Sequence, residues 1–266
     1  DAVASWIKPS LSLTESGQVE VTEPGRSVVQ LANSETGVIQ ETSSLARHCQ
    51  QRGVPLHIDA VQAVGKIPIH FREMTATSLA LGAHKFHGPR GIGALLLRDG
   101  VKLPALQYGG HQEDGRRPGT EMVALAAGMA RALELCHEDM DARTASLTSM
   151  RDELQQRLQA TCEPTVINSC QEHRLPNTLN ISFPGVDGEA LLVALDLEGV
   201  ACSLGSTCAS GAAEPAPVLM AMGRPEEVYR SAVRLTLSSE NQPDEIRSAA
   251  RRIANVVKRL RDSASS

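Results

Sequence analysis

The chain has 266 residues, 41% of them apolar and only 2% aromatic, with a formal net charge of -5. Both signs of charge are mixed along it, which argues against a nucleic-acid footprint, and no apolar run nears the ~18 residues that a membrane span requires. Six cysteines, at 49, 136, 162, 170, 202 and 208, form no CxxC pair, so neither a disulfide framework nor a metal site is expected, and the thiols read as those of a cytoplasmic protein.

The sequence starts at Asp1 without a methionine, and its first thirty residues carry little pattern, so a start inside a longer protein is expected. "SVVQLA" reads as a short buried strand, "ETSSLARHCQQRG" as a helix closed by Gly53, and "VPLHIDAV" as another buried strand. Strand, helix and strand make the unit of a parallel sheet covered by helices. "SLALGAHKF" and "IGALLL" add two strands, and the polar, glycine-laden "YGGHQEDGRRPGTE" reads as a surface loop.

From Thr120 the pattern is helical for about forty residues. "EMVALAAGMARALELC" is apolar on nearly all sides and is expected to be buried; after a break near "CHEDMD", Leu147, Met150, Leu154 and Leu158 fall on one helix face. "TLNISF", "VACSL" and "AVRLTL" read as strands, "DGEALLVALDLEG" and "APVLMAMG" as helices, and "QPDEIRSAARRIANVVKRLRDS" as a closing helix with acids first and bases last. The reading is α/β: a mostly parallel sheet covered by helices over 1–137, then a smaller α+β domain over 138–266.

Three features carry chemistry. Lys85 ends a strand between His84 and His87. A lone lysine there is ordinarily solvated; its chemical use is a Schiff base with an aldehyde cofactor, which needs an amine on a rigid element. Asp59 closes the "PLHID" strand, either as a helix N-cap or as a charge aimed into a site at the carboxyl end of a parallel strand. Pyridoxal phosphate needs such an acid on its ring nitrogen, and Gln62 is placed to reach its ring hydroxyl. Cys208 lies among Gly, Ser, Thr and Ala, which suits an exposed, movable thiol, whereas Cys202 reads as a buried small hydrophobe.

"HIDAVQAVGK", "GAHKFHGPRGIGALLLR", "GGHQEDGRRPGTE", "RLPNTLNISF", "GSTCASGAAEPAPVLMAMG" and "AVRLTLS" together resemble, in order and spacing, the cysteine desulfurases and selenocysteine lyases. These are pyridoxal-phosphate enzymes with the class V aminotransferase fold, and the likeness runs roughly from residue 28 to 260. It implies that Lys85 holds the cofactor aldehyde and later moves the substrate proton. It also implies that Asp59 pairs with the ring nitrogen, Gln62 with the ring oxygen, and His84 lies on the phosphate side. Thr120 is similar to a threonine that reaches the phosphate of a neighbouring subunit, which implies a homodimer. Cys208 resembles the sulfur-accepting nucleophile, Arg234 the arginine that holds the substrate carboxylate, and Asn177 is a further substrate-facing candidate.

Some positions depart from the family pattern. Ser34, beside Asn33, stands where the family most often has a ring-contacting asparagine, and Gly82 where a phosphate-binding serine is usual. "LSSENQPDE" replaces the usual glycine-arginine pair. Residues 1–27 hold neither the family's phosphate loop nor its ring-stacking histidine, so the N-terminal part of the fold is expected to lie outside this chain. The resemblance implies removal of sulfur from L-cysteine, giving L-alanine and a persulfide for a scaffold or other acceptor protein in iron–sulfur assembly or tRNA thiolation. A selenocysteine lyase and a non-catalytic homologue that binds a partner or dimerises are the alternatives.

Overall fold

The computed structural model describes residues 11–21, 27–205 and 216–264. The chain divides into two compact units: Pro24–Leu31 with Thr42–Met140, and Asp1–Glu23 with Ala32–Glu41 and Asp141–Ser266. After their sheets they are called here the parallel-sheet and the antiparallel-sheet unit.

The early residues hold more order than their composition advertises. β1 (Leu11–Leu13) and β2 (Val19–Val21) form an antiparallel hairpin. Its turn contains Gly17 at a φ of 81°, a left-handed value that glycine reaches without a Cβ clash. Gln40 ties this hairpin into its own unit, donating from Nε2 to the Gly17 carbonyl and accepting from the Val19 amide, both at 2.7 Å.

In the parallel-sheet unit, β3 (Ser27–Gln30), α1 (Thr42–Gln51) and β4 (Leu56–Asp59) form the expected strand–helix–strand element. β3 and β4 run parallel, with Ser27 opposite Leu56 and Gln30 opposite Asp59. β5 (Ser78–Gly82) joins β4 in parallel, and β6 (Gly93–Leu97) joins β5 antiparallel, giving the order β3-β4-β5-β6. The carboxyl ends of the three parallel strands therefore share one edge, the edge at which open α/β sheets hold ligands. The strand expected to run through "SLALGAHKF" stops at Gly82, and Ala83–Phe86 is a single 3-10 turn.

α2 (Val123–Glu138) ends at the expected break, with Asp139 as its C-cap. Its expected burial is not met: only Ala132 and Cys136 are buried, and Val123 is 72% exposed. Composition sets how much apolar surface a helix has; the neighbours it is given set how much is covered.

The antiparallel-sheet unit is led by α3 (Met140–Thr161), whose Leu147, Met150, Leu154 and Leu158 are buried on one face as their spacing predicts. β7 (Val166–Ile167), β8 (Thr178–Ser182), α4 (Gly188–Leu197), α5 (Pro217–Ala221), α6 (Glu226–Tyr229), β9 (Ala232–Thr236) and α7 (Pro243–Ala264) follow. The strands form an antiparallel sheet in the order β7-β8-β9. α4 starts where the Asp187 carboxylate accepts the Ala190 amide at 2.9 Å, satisfying an orphan donor of the first turn. One core joins α3, β8, α4, β9 and α7 through Leu158, Leu179, Ile181, Leu191, Val233 and Ile253. "VACSL" is not a strand; only Ser203 bridges to Arg234. Among the described residues no helix is long and apolar enough to cross a membrane.

Candidate active site

Lys85 sits on the 3-10 turn that follows β5, between two buried plugs, Ala83 and Phe86. Phe86 is 1% exposed and lies against Gly65, where an added Cβ would come within 2.5 Å of the Phe86 Cβ. Gly65 also has a φ of 77°, so the "AVGK" glycine is required twice over at this position. The Cys136 thiol approaches the Phe86 carbonyl at 3.6 Å from α2. With Ala83 and Phe86 held inward, the intervening His84 and Lys85, and His87 beyond them, are exposed. A buried frame with an outward amine is how this sequence places a lysine just beyond the end of β5. Among the described residues Lys85 has no ion pair, whereas Lys66 donates to the Gln62 carbonyl and Oε1, both at 2.9 Å.

Asp59 is the last residue of β4 and lies opposite Ala80 of β5, five positions before Lys85. Its Oδ1 accepts the Val61 amide at 2.9 Å, which caps the turn that follows, and the carboxylate is half-buried. The capping reading of Asp59 is thus observed, and its second oxygen has no hydrogen bond among the described residues. Gln62, on the same turn, spends its side-chain oxygen on Lys66 and leaves its amide NH2 without a partner among the described residues. His57, also on β4, shares a 2.8 Å hydrogen bond with Ser78; burial pushes its ring down from the usual histidine range, partly offset by the Asp59 charge. Gly82 precedes the Lys85 turn with an extended backbone, and Thr120 is exposed in the loop before α2.

The remaining candidates lie in the antiparallel-sheet unit. Arg234 of β9 donates from NH1 to Glu35 Oε1 at 2.7 Å and to the Ser34 carbonyl at 3.0 Å. Asn33 Oδ1 accepts the amides of Glu35 and Thr36, both at 2.9 Å, so this oxygen shapes the turn. Asn177 is buried, with Nδ2 donating to the Leu237 carbonyl at 3.3 Å and Oδ1 accepting from Thr178 at 3.4 Å, so its amide braces β8 and β9. Cys208 lies outside the described residues. Of the cysteines that are described, Cys49, Cys136 and Cys162 are buried, and burial pushes the Cys202 thiol up to about 11, which keeps it protonated and unreactive at neutral pH.

Glu35 is the residue that sequence reasoning passed over. Its carboxyl is pushed up by burial, and the Arg234 guanidinium pulls it only part of the way back. Oε2 is buried without a hydrogen-bond partner among the described residues. The signal was there in "LANSETGV": an acid between a buried strand and a glycine turn, where a solvated acid has little room.

The family model described as Aminotransferase class-V matches residues 21–248. A cysteine desulfurase of Enterobacter agglomerans is 43% identical over 230 residues, covering 86% of this chain and 57% of that protein. One of Sinorhizobium fredii is 43% identical over 235 residues, covering 88% of this chain and 61% of its own length. The chain therefore spans about three fifths of these curated relatives. Among solved structures, a NifS-like protein superposes with a TM-score of 0.84 at 30% identity, covering 94% of this chain and 68% of the other. A NifS-like protein from Rickettsia africae also gives 0.84, at 26% identity, covering 93% of this chain and 69% of the other.

Proposed function

Because the chain belongs to the class-V aminotransferase family, we propose that it acts as a pyridoxal-phosphate-dependent cysteine desulfurase, taking sulfur from L-cysteine and leaving L-alanine. The observation that carries this reading lies within the parallel-sheet unit. A half-buried carboxylate with one oxygen unspent, an amide NH2 and an amine without an ion pair among the described residues stand at the carboxyl edge of neighbouring parallel strands. That donor set fits the coenzyme. Lys85 would hold its aldehyde, Asp59 its ring nitrogen and Gln62 its ring oxygen. His84 and the Gly82 backbone would serve the phosphate side, Asn33 and Ser34 would flank the ring, and Thr120 would serve the phosphate of a second copy in a homodimer.

When bound, pyridoxal phosphate supplies an aldehyde that captures amines and a protonated ring that draws electrons from the substrate α-carbon. Asp59 would hold the ring nitrogen, where a carboxylate favours the protonated form of the ring. Lys85, whose amine is of the kind that serves as a general base and acid, would take the substrate α-proton and carry it. Arg234 holds the α-carboxylate, a task for a rigid, permanently charged fork. Asn177 contributes through the strands it braces.

Cys208 attacks the substrate sulfur as a thiolate. The S–S bond forms, the C–S bond breaks, and its electron pair stays with the carbon skeleton, which is protonated and leaves as L-alanine. The persulfide then passes to an acceptor or scaffold protein. The relatives' names support sulfur chemistry, and the unpaired state of the described cysteines suits the reducing cytoplasm.

Borohydride reduction of the protein incubated with pyridoxal phosphate tests this reading. The pyridoxyl group is expected on Lys85 by peptide mass and should be absent in Lys85→Ala. Cys208→Ala should retain the adduct and lose sulfide release from L-cysteine. An adduct on another lysine, or undiminished sulfide from Cys208→Ala, would remove the assignment.

A further inference from the structure

The Arg234 guanidinium is held from one side only. NH1 donates to Glu35 Oε1 and to the Ser34 carbonyl, and no hydrogen bond reaches Nε or NH2 among the described residues. The holder is itself fixed. The Glu35 amide donates to Asn33 Oδ1 at 2.9 Å, and its carbonyl accepts from Asn180 Nδ2 at 3.2 Å. Asn180 stands opposite Arg234 in the β8–β9 ladder, so both ends of the ion pair are tied to one register. Gly205 closes over the other oxygen, since a Cβ there would lie 2.5 Å from Glu35 Oε2. The Arg234 backbone is bridged to Ser203 at 2.7 and 3.1 Å. With side chains only 26% and 16% exposed, this pair is confined in a way that a surface ion pair is not.

We propose that Glu35 is a positioning residue for Arg234: by gripping NH1 it presents the Nε–NH2 edge of the guanidinium to the α-carboxylate of an amino-acid substrate. The inference rests on the reading of Arg234 as the carboxylate-binding group. The free edge is the one that a carboxylate engages bidentately, and a guanidinium that could swing would lose that geometry. Burial favours the protonated form of Glu35, and a neutral acid still offers NH1 a carbonyl oxygen. In either ionisation state Glu35 offers NH1 an acceptor oxygen, so the grip rests on the geometry of the contact and not on the charge of the acid. Because the carboxylate is unchanged through the reaction, loss of the grip is expected to raise KM and spare kcat.

Calorimetric titration of the pyridoxal-phosphate-loaded protein with L-alanine and with L-alaninamide, which lacks the carboxylate, tests this. The unmodified protein should prefer L-alanine, and Arg234→Ala should abolish the preference. Glu35→Met, which keeps the volume and removes the gripping oxygen, should weaken L-alanine about tenfold, or ~1.4 kcal/mol, and leave L-alaninamide unchanged. Glu35→Gln should restore binding to within about twofold, because it returns an oxygen to NH1. Glu35→Met with Arg234→Ala should bind no worse than Arg234→Ala alone, as expected of residues acting through one another. If Arg234→Ala loses the preference while Glu35→Met keeps it, or weakens both ligands alike, the positioning role fails and the reading of Arg234 survives. If the unmodified protein, or Arg234→Ala, treats the two ligands as the unmodified protein should not or as it should, respectively, the reading of Arg234 fails and takes the inference with it.

Discussion

β6 and β8 are both five-residue strands, and by composition β6, "GALLL", is the more apolar of the two. Yet β8, "TLNIS", is buried at every position, while Leu95 and Leu96 of β6 are 48% and 39% exposed. The helices repeat the contrast. α3 is the more polar and still buries a full face, whereas α2 is apolar and buries two residues. Burial follows from having a second layer, and α4 and α7 supply one to the antiparallel sheet. Once enclosed, even polar positions on β8 are satisfied in place: Asn168 Nδ2 donates to Asn180 Oδ1 at 2.9 Å and to Ser182 Oγ at 2.6 Å.

The largest expected effect lies in the closed core. Leu158→Ala, at a fully buried position of α3, should cost about 3 kcal/mol, from lost transfer energy plus the cavity that close-packed neighbours cannot fill. The urea midpoint at unchanged slope measures it. A loss below about 1 kcal/mol would mean that this core collapses around deletions and is not the rigid member of the pair.

An enclosed unit also traps charge, and the next effect tests that. Glu35 titrates higher in the folded protein than its ordinary value of about 4.3, with burial as the leading cause. Below that ordinary value both states hold the proton, and Glu35 contributes its full share of stability. As pH rises the unfolded chain releases the proton first, so that share is lost through the folded value. Glu35→Gln, which cannot titrate, should gain stability relative to the unmodified protein between pH 4 and pH 7. Unfolding free energies at the two pH values decide it. A relative loss toward neutral pH would show that attraction to Arg234 outweighs burial.

Much of this was legible in the residues, for identifiable reasons. The β4 and β5 strands, the Gly53 stop, the α3 face and the break before it follow from apolar period and punctuation, which act locally. The position of Lys85 at the end of β5 was readable; the 3-10 turn that turns it outward depends on Phe86 meeting Gly65 and Cys136, contacts distant in sequence. "VACSL" has strand composition but finds only the single Ser203 bridge, because strand formation needs a partner as well as propensity. The β1–β2 hairpin was missed because side chains from elsewhere, Gln40 above all, hold it. For Glu35 the residues showed only an acid with little room beside a glycine turn; its role comes from Arg234, 199 residues away.

The smallest effect is expected where the apolar surface is most open, and it can break the comparison outright. Val123 begins α2 with 72% of its surface exposed, so Val123→Ser removes little that folding had buried. Its stability should change by no more than about 0.5 kcal/mol, the ordinary range for surface substitutions. Exposed apolar clusters of this kind are also what interfaces cover. If a second copy covers α2, unfolding of the unmodified protein should depend on protein concentration, because association stabilises by mass action. Val123→Ser should then cost more at high concentration than at low. Measured at two concentrations, a constant near-zero change keeps α2 as the open counterpart of α3. A loss that grows with concentration would show that the two helices are both buried in the working protein, one by its own chain and the other by another.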